Sequence, residues 1–169
     1  TPSLDGAFQR AIARGVRVRI LTNSIRSNNH LTAHSAYRNH IDALLGLGVE
    51  LHEVRADAED RDLYMLSPTE RKVLALHAKA LVIDHARVFI GSANLDPRSL
   101  RINTELGLVV HSEALNAQLR ASLEPDFDES NAWRLALDDS GRVTWVSGNA
   151  VLNTQPAASF MQRVEDWFF

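Results

Sequence analysis

The sequence predicts an α/β fold, a mixed β-sheet with helices on both faces. Three observations carry this expectation. Short β-branched runs alternate with stretches of helical apolar spacing, glycines fall where those stretches stop, and 45% of the 169 residues are hydrophobic, enough for one chain to bury a core. Leu4, Phe8 and Ile12 recur at helical spacing over residues 4–14, and Gly15 closes the run. Residues 16–22 alternate as a strand. A polar loop with Asn23, Ser24, Ser27, Asn28 and Asn29 follows; residues 31–47 then read as a helix stopped at Gly46-Leu47-Gly48, and 49–54 as the next strand. Residues 55–73, which include ADAEDRD, are charged and irregular and predict a mobile loop near the site described below. Residues 76–83 and 88–90 predict a hairpin that turns at Asp84-His85-Ala86-Arg87. Asn103-Thr104-Glu105 opens a run, 106–110, that reads as a buried strand, and Ser112 is placed to cap a helix over 113–123. Residues 133–137 and 142–146, on either side of Asp138-Asp139-Ser140-Gly141, form a second hairpin, and 156–168 look helical. Residues 1–169 are thus expected to form a single domain, with 130–169 as a C-terminal hairpin and helix extension.

The first hairpin carries the most specific pattern. Residues 77–94 read HAKALVIDHARVFIGSAN, which sets His77, Lys79, Asp84, Gly91, Ser92 and Asn94 in the spacing H-x-K-x4-D-x6-G-S-x-N. With each position drawn at about one in twenty, a chance match in a chain of this length is on the order of 10⁻⁶. Side chains alternate across a strand, so His77 and Lys79 are expected to point the same way, with the returning strand bringing Ser92 and Asn94 near His77. An imidazole, an ammonium, a hydroxyl and a carboxamide at one strand end suit a phosphodiester. A neutral imidazole nitrogen can attack phosphorus, while Lys79, Ser92 and Asn94 donate to the non-bridging oxygens as negative charge builds. Glu105 is the expected acceptor for the second ring N–H of His77, fixing its tautomer. Asp84 is the alternative, but it has the opposite strand parity and sits beside the turn, so Asp84 and Gly91 are read as structural members of the pattern. The donor set needs no metal and no other cofactor, and the sequence has no HExxH, no Cys and no compact His/Asp cluster.

This pattern resembles the signature of the phospholipase D superfamily. GSANLDPRS followed by NTELGLVV is most similar to the cardiolipin synthase branch, particularly its bacterial members, and AFQRAIARGVRVRILTNS with HLTAHSAYRNHIDALLGLGVELHEV resembles the second half of those enzymes. The similarity runs from about residue 4 to about residue 112 and more weakly to the end. The resemblance implies a phospholipase D-like half-domain and a phosphatidyltransferase working through a phosphohistidine. A His attacks a phospholipid, the alcohol leaves, and the hydroxyl of phosphatidylglycerol or a similar acceptor captures the phosphatidyl group to give cardiolipin. It also implies two facing motifs, one His as nucleophile and one as general acid, because the leaving alkoxide must be protonated. This chain has one motif, since His30, His34 and His52 lack a Lys at the right offset. Either two copies of the chain pair, or it is the C-terminal half of a longer two-motif protein. The absence of an initiating Met and the apolar ending VEDWFF favour the second reading. In that case His77 is the better candidate for general acid and then for the base that deprotonates the incoming alcohol. Hydrolysis, by a phospholipase D or a homodimeric nuclease, would use the same site. The non-enzymatic alternative, an inactive partner-binding module, is weakened by the intact motif.

Lys and Arg number 18 against 21 Asp and Glu, and a net charge of −3 argues against nucleic acid as a partner. There is no signal peptide and no apolar run of about 18 residues. Zero Cys fits a reducing compartment, and equally a chain that never needed a disulfide. The resemblance implies a cytoplasmic location peripheral to the inner membrane, with the membrane surface reached through the full-length protein. His30 and His34, at helix spacing, read as solvated or capping residues, but His34 follows a strand end where α/β ligand sites gather, so substrate contact is its alternative role. Arg98, with Ser99, either holds the loop after Asn94 or binds phosphate through paired N–H donors. Trp133, Trp145 and Trp167 read as core or interface, with membrane-surface contact as the alternative.

Overall fold

Gly15 and Gly48 adopt φ of 81° and 89°, a left-handed conformation that costs glycine little, and each turns the chain out of a helical segment towards a strand. A computed structural model describes residues 2–27, 34, 37–67 and 72–168. In chain order the elements are α1 (Pro2–Ala13), β1 (Arg19–Asn23), α2 (Ile41–Gly46), β2 (Glu50–Val54) and the single turn α3 (Arg61–Tyr64). They continue with β3 (Ala80–Ile83), β4 (Arg87–Gly91), α4 (Pro97–Arg101), β5 (Gly107–His111) and α5 (Glu113–Leu123). After a 3₁₀ turn at Pro125–Phe127 come β6 (Ala132–Leu137), β7 (Val143–Ser147), β8 (Ala150–Leu152) and α6 (Phe160–Phe168). The α/β class with a mixed sheet is as the sequence predicts. The chain divides into two compact units, residues 2–76 with 126–168, and residues 77–125.

The first unit holds the mixed sheet, in the order β1-β2-β6-β7-β8, with β1 and β2 parallel and the other neighbours antiparallel. Register places Ile20 beside Leu51, Leu135 beside Trp145 and Trp145 beside Leu152, so these apolar side chains share one face. Ile41, Leu44 and Leu45, at helical spacing on α2, pack on that face to close the core. Glu53 lies on the same face, fully buried, and accepts hydrogen bonds from Trp145 Nε1 at 2.9 Å and the Tyr37 hydroxyl at 3.1 Å. Burial, reinforced by the charge of Glu53, pushes the Tyr37 phenol well above its ordinary range. The predicted turn between β6 and β7 is held by Asp138, which accepts from the Ser140 and Arg142 amides at 2.8 and 2.9 Å.

The second unit is an antiparallel sheet in the order β3-β4-β5 with α5 against β3 and β4. Val88 is fully buried there. Asn116 of α5, 1% exposed, donates to the carbonyls of Ile83 at 3.2 Å and Arg87 at 2.9 Å, tying the helix to both strands of the hairpin. Ser112 caps α5 as predicted, its hydroxyl accepting from the Leu115 amide at 3.2 Å.

The structure departs from the sequence reading in five places. Strand β1 begins at Arg19, not at 16, and α6 begins at Phe160, not at 156. The helix expected over 31–47 is broken: His34, Tyr37 and Arg38 are helical, 39–40 form a turn, and α2 starts afresh at Ile41. Residues 28–33, and with them His30, lie outside the described residues, as does the side chain of Trp167. The run at 106–110 is not buried: Leu106, Leu108 and Val109 are 75%, 62% and 62% exposed. Residues 55–64 are not a loose loop. Arg55 donates to Ser147 Oγ at 2.6 Å, Asp60 exchanges two hydrogen bonds with the Asn131 side chain, and Tyr64 donates to Asp126 at 3.0 Å. Among the described residues no helix is long and apolar enough to cross a membrane.

Candidate active site

Residues 73–79 lie in no helix or strand and run ahead of β3, so His77 and Lys79 precede the paired strand instead of lying within it. The ladder with β4 ends at Ala80 opposite Ile90, and one further bond, from the Gly91 amide to the Lys79 carbonyl at 3.0 Å, extends it by a residue. The His77 side chain is exposed, and among the described residues its ring makes no hydrogen bond. Lys79 folds back so that Nζ donates to the His77 carbonyl at 2.8 Å. On the N-terminal side, the Asn23 carboxamide donates to the Leu76 carbonyl at 2.8 Å and accepts from the Leu76 amide at 2.7 Å.

Ser92 stands where β4 ends, and it is bound to the start of β5 at three points. Its amide donates to the Leu106 carbonyl at 2.9 Å, its hydroxyl accepts from the Leu106 amide at 3.0 Å, and that hydroxyl donates to Glu105 Oε2 at 2.5 Å. Gly91 allows this approach: a Cβ there would lie 2.7 Å from the Leu106 carbonyl oxygen and 2.8 Å from Cζ of Phe89. Behind Glu105, Asn103 donates to Oε1 at 3.3 Å and Arg98 Nε donates to Asn103 Oδ1 at 3.1 Å. Asp96 caps α4, accepting from the Arg98 and Ser99 amides at 2.8 and 2.9 Å and the Ser99 hydroxyl at 3.2 Å, with Pro97 in the first turn. The Ser92 hydroxyl, and next the Asn103 amide, hold the Glu105 carboxyl below its ordinary range. Burial pushes Asp96 upward, but bonds from Ser99, Arg98 and Asn94 outweigh it and leave that carboxyl lowered too.

The structure therefore brings Ser92, Glu105, Asn103 and Arg98 into one network and joins Lys79 to the backbone of His77. It does not join Glu105 to the His77 ring. The carboxylate accepts from Ser92 and Asn103 instead, and the single hydroxyl proton of Ser92 is engaged with Glu105 rather than directed at an open position. Asp84 sits in the β3–β4 turn at φ 50°, paired with Arg87 at 3.3 Å, and its carbonyl accepts from Arg120. His34, read from sequence as solvated or capping, is 1% exposed and meets the Tyr37 ring edge-on at 5.7 Å between centroids. Sequence reasoning missed Asn23, Asp96, Asn103 and Asn116. The Asp96-Pro97 pair was a readable signal, since Asp at an N-cap followed by Pro marks a helix start. Asn23 gave none, because its contact spans 53 residues.

A family model described as "Cardiolipin synthase, PLD-like domain" matches residues 2–127, a span that includes the whole motif. Cardiolipin synthase C of Escherichia coli K12 is 41% identical to the chain, over 96% of this chain and 36% of that protein. An uncharacterized protein of Helicobacter pylori J99 is 29% identical over 95% of the chain and 32% of its own length. Cardiolipin synthase A of Pseudomonas aeruginosa PAO1 is 31% identical over 73% of the chain and 21% of its own length. No solved structure matches. The chain spans about a third of the length of the first two relatives. With this agreement along most of its residues, the motif included, the chain belongs to the family of cardiolipin synthase PLD-like domains.

Proposed function

We propose that the chain supplies one of the two half-sites of a phosphatidyltransferase that makes cardiolipin through a phosphohistidine. The observation that carries the reading is the intact motif, His77, Lys79, Ser92 and Asn94 at family spacing, within a chain 41% identical to a cardiolipin synthase over nearly all its residues. In the first step an imidazole nitrogen attacks the phosphorus of a phospholipid such as phosphatidylglycerol. The P–N bond forms, the P–O bond to the headgroup alcohol breaks, and the departing alkoxide takes its proton from the second imidazole. In the second step the hydroxyl of another phosphatidylglycerol gives its proton back to that imidazole and attacks phosphorus, and the P–N bond breaks. His77 is one of these two imidazoles and suits the proton-transfer role; the other comes from a second motif, on the parent protein or on another copy. The Lys79 ammonium, which uses one of its three N–H donors on the His77 carbonyl, has two left for the non-bridging oxygens, and the Asn94 carboxamide adds another donor. The protein works at the inner-membrane surface, where the substrate is.

The test is to incubate the full-length protein with phosphatidylglycerol vesicles, quench in acid, and look for a phosphatidyl-protein adduct together with cardiolipin and free glycerol. Phosphatidic acid in place of cardiolipin would mean hydrolysis with water as acceptor. Undiminished turnover in His77→Ala would remove His77 from the chemistry.

A further inference from the structure

We infer that Asn23 is a positioning residue for His77: its carboxamide fixes the backbone of the residue that precedes the motif histidine. The His77 ring has no hydrogen bond of its own among the described residues, and residues 73–79 lie in no helix or strand, so where the imidazole stands is set by the backbone on either side of it. Asn23 supplies the hold on the N-terminal side. It is the last residue of β1, opposite Val54 of β2, so its own backbone belongs to the mixed sheet. From there the carboxamide makes the two bonds a neighbouring strand would make, accepting from the Leu76 amide at 2.7 Å and donating to the Leu76 carbonyl at 2.8 Å. The pair of bonds fixes the amide's orientation, since only oxygen can face the N–H and only nitrogen the carbonyl. Ser27, itself buried and bonded to buried Ser24 at 3.0 Å, donates from its hydroxyl to Asn23 Oδ1 at 3.5 Å. On the C-terminal side of His77 the Lys79 carbonyl accepts from the Gly91 amide at 3.0 Å.

This rests on the reading of His77 as a reacting group. Misplacing such a group by about 1 Å can cost on the order of 10²-fold in rate. Asn23→Ala, which removes both bonds, is therefore expected to lower kcat by about 10- to 100-fold with KM within about twofold, and Asn23→Asp, which keeps the acceptor but loses the donor, to lower it less. The assay is cardiolipin formation by the full-length protein, with His77→Ala as a control. Amide hydrogen exchange is read in parallel: Asn23→Ala should expose the Leu76 amide while the core amides of β2 and β7 keep their protection. Wild-type kcat in both Asn23 variants would overturn the inference, as would exchange that rises throughout the sheet, because Asn23 would then act on folding alone. Full turnover in His77→Ala would overturn it together with the functional reading, and the Leu76 exchange would still report whether the anchor itself exists.

Discussion

A carboxylate that accepts one hydrogen bond at 2.5 Å from a hydroxyl and a second from a carboxamide is stabilised in its charged form, and Glu105 has this arrangement with Ser92 and Asn103. The sign follows from the lowered carboxyl: the contribution to stability is present at pH above the ordinary glutamate range and is lost as pH falls through the depressed value. Carbon-13 NMR of the Glu105 carboxyl should give a midpoint below that of an ordinary glutamate, and Ser92→Ala should raise it. A midpoint that does not move in Ser92→Ala would mean that the Ser92 bond is not what holds it down. Rates test the same residues under the proposed transfer. Lys79→Ala should lower kcat about 10²-fold, the scale seen when a single oxyanion donor is removed, and Glu105→Gln should cost less than His77→Ala. A Glu105→Gln variant as inactive as His77→Ala would require that the carboxylate reach the imidazole directly during turnover.

Asn116 shows how one buried side chain can hold an element in place. It serves two carbonyls, Ile83 and Arg87, at either end of the β3–β4 turn, and is 1% exposed. Asn116→Ala takes this buried donor away from both carbonyls, a loss of about 2 kcal/mol, readable as a lower urea midpoint with an unchanged slope. A shift of less than a tenth of that would mean that water satisfies the carbonyls. The hairpin and its turn were legible from sequence because strand alternation and turn residues are local, as were the Ser112 cap and the Asp138 turn. The exposure of β5 was not: an apolar run does not reveal whether a second layer covers its strand, and here Leu108 and Val109 are both 62% exposed. The break at 39–40 was hidden by apolar spacing that runs on through it from Tyr37 to Ile41 and Leu44. In the site, residue types and spacing were readable, but not the choice of Glu105 between His77 and Ser92, which depends on side-chain geometry after β4 and β5 meet at Gly91.

At the scale of the molecule, one motif supplies one imidazole, whereas the proposed chemistry moves a proton and forms a P–N bond in the same step and so requires two. The sheet that carries the motif also leaves apolar side chains uncovered. Leu81 and Val109 on one face are 43% and 62% exposed, and Ile90 and Leu108 on the other are 46% and 62% exposed. Turnover is therefore expected only from a species holding two motif histidines. Light scattering on the purified chain, with phosphodiesterase activity assayed on the same fractions, puts this to the test. A monomeric chain should be inactive, and adding a separately made segment with a second motif should bring activity back, but not when the chain carries His77→Ala. If two copies suffice, activity should follow the dimer peak and fall faster than in proportion to concentration on dilution. An active monomer would mean that a single motif completes the reaction, and the general acid would then have to be sought among the groups around Ser92 and Glu105.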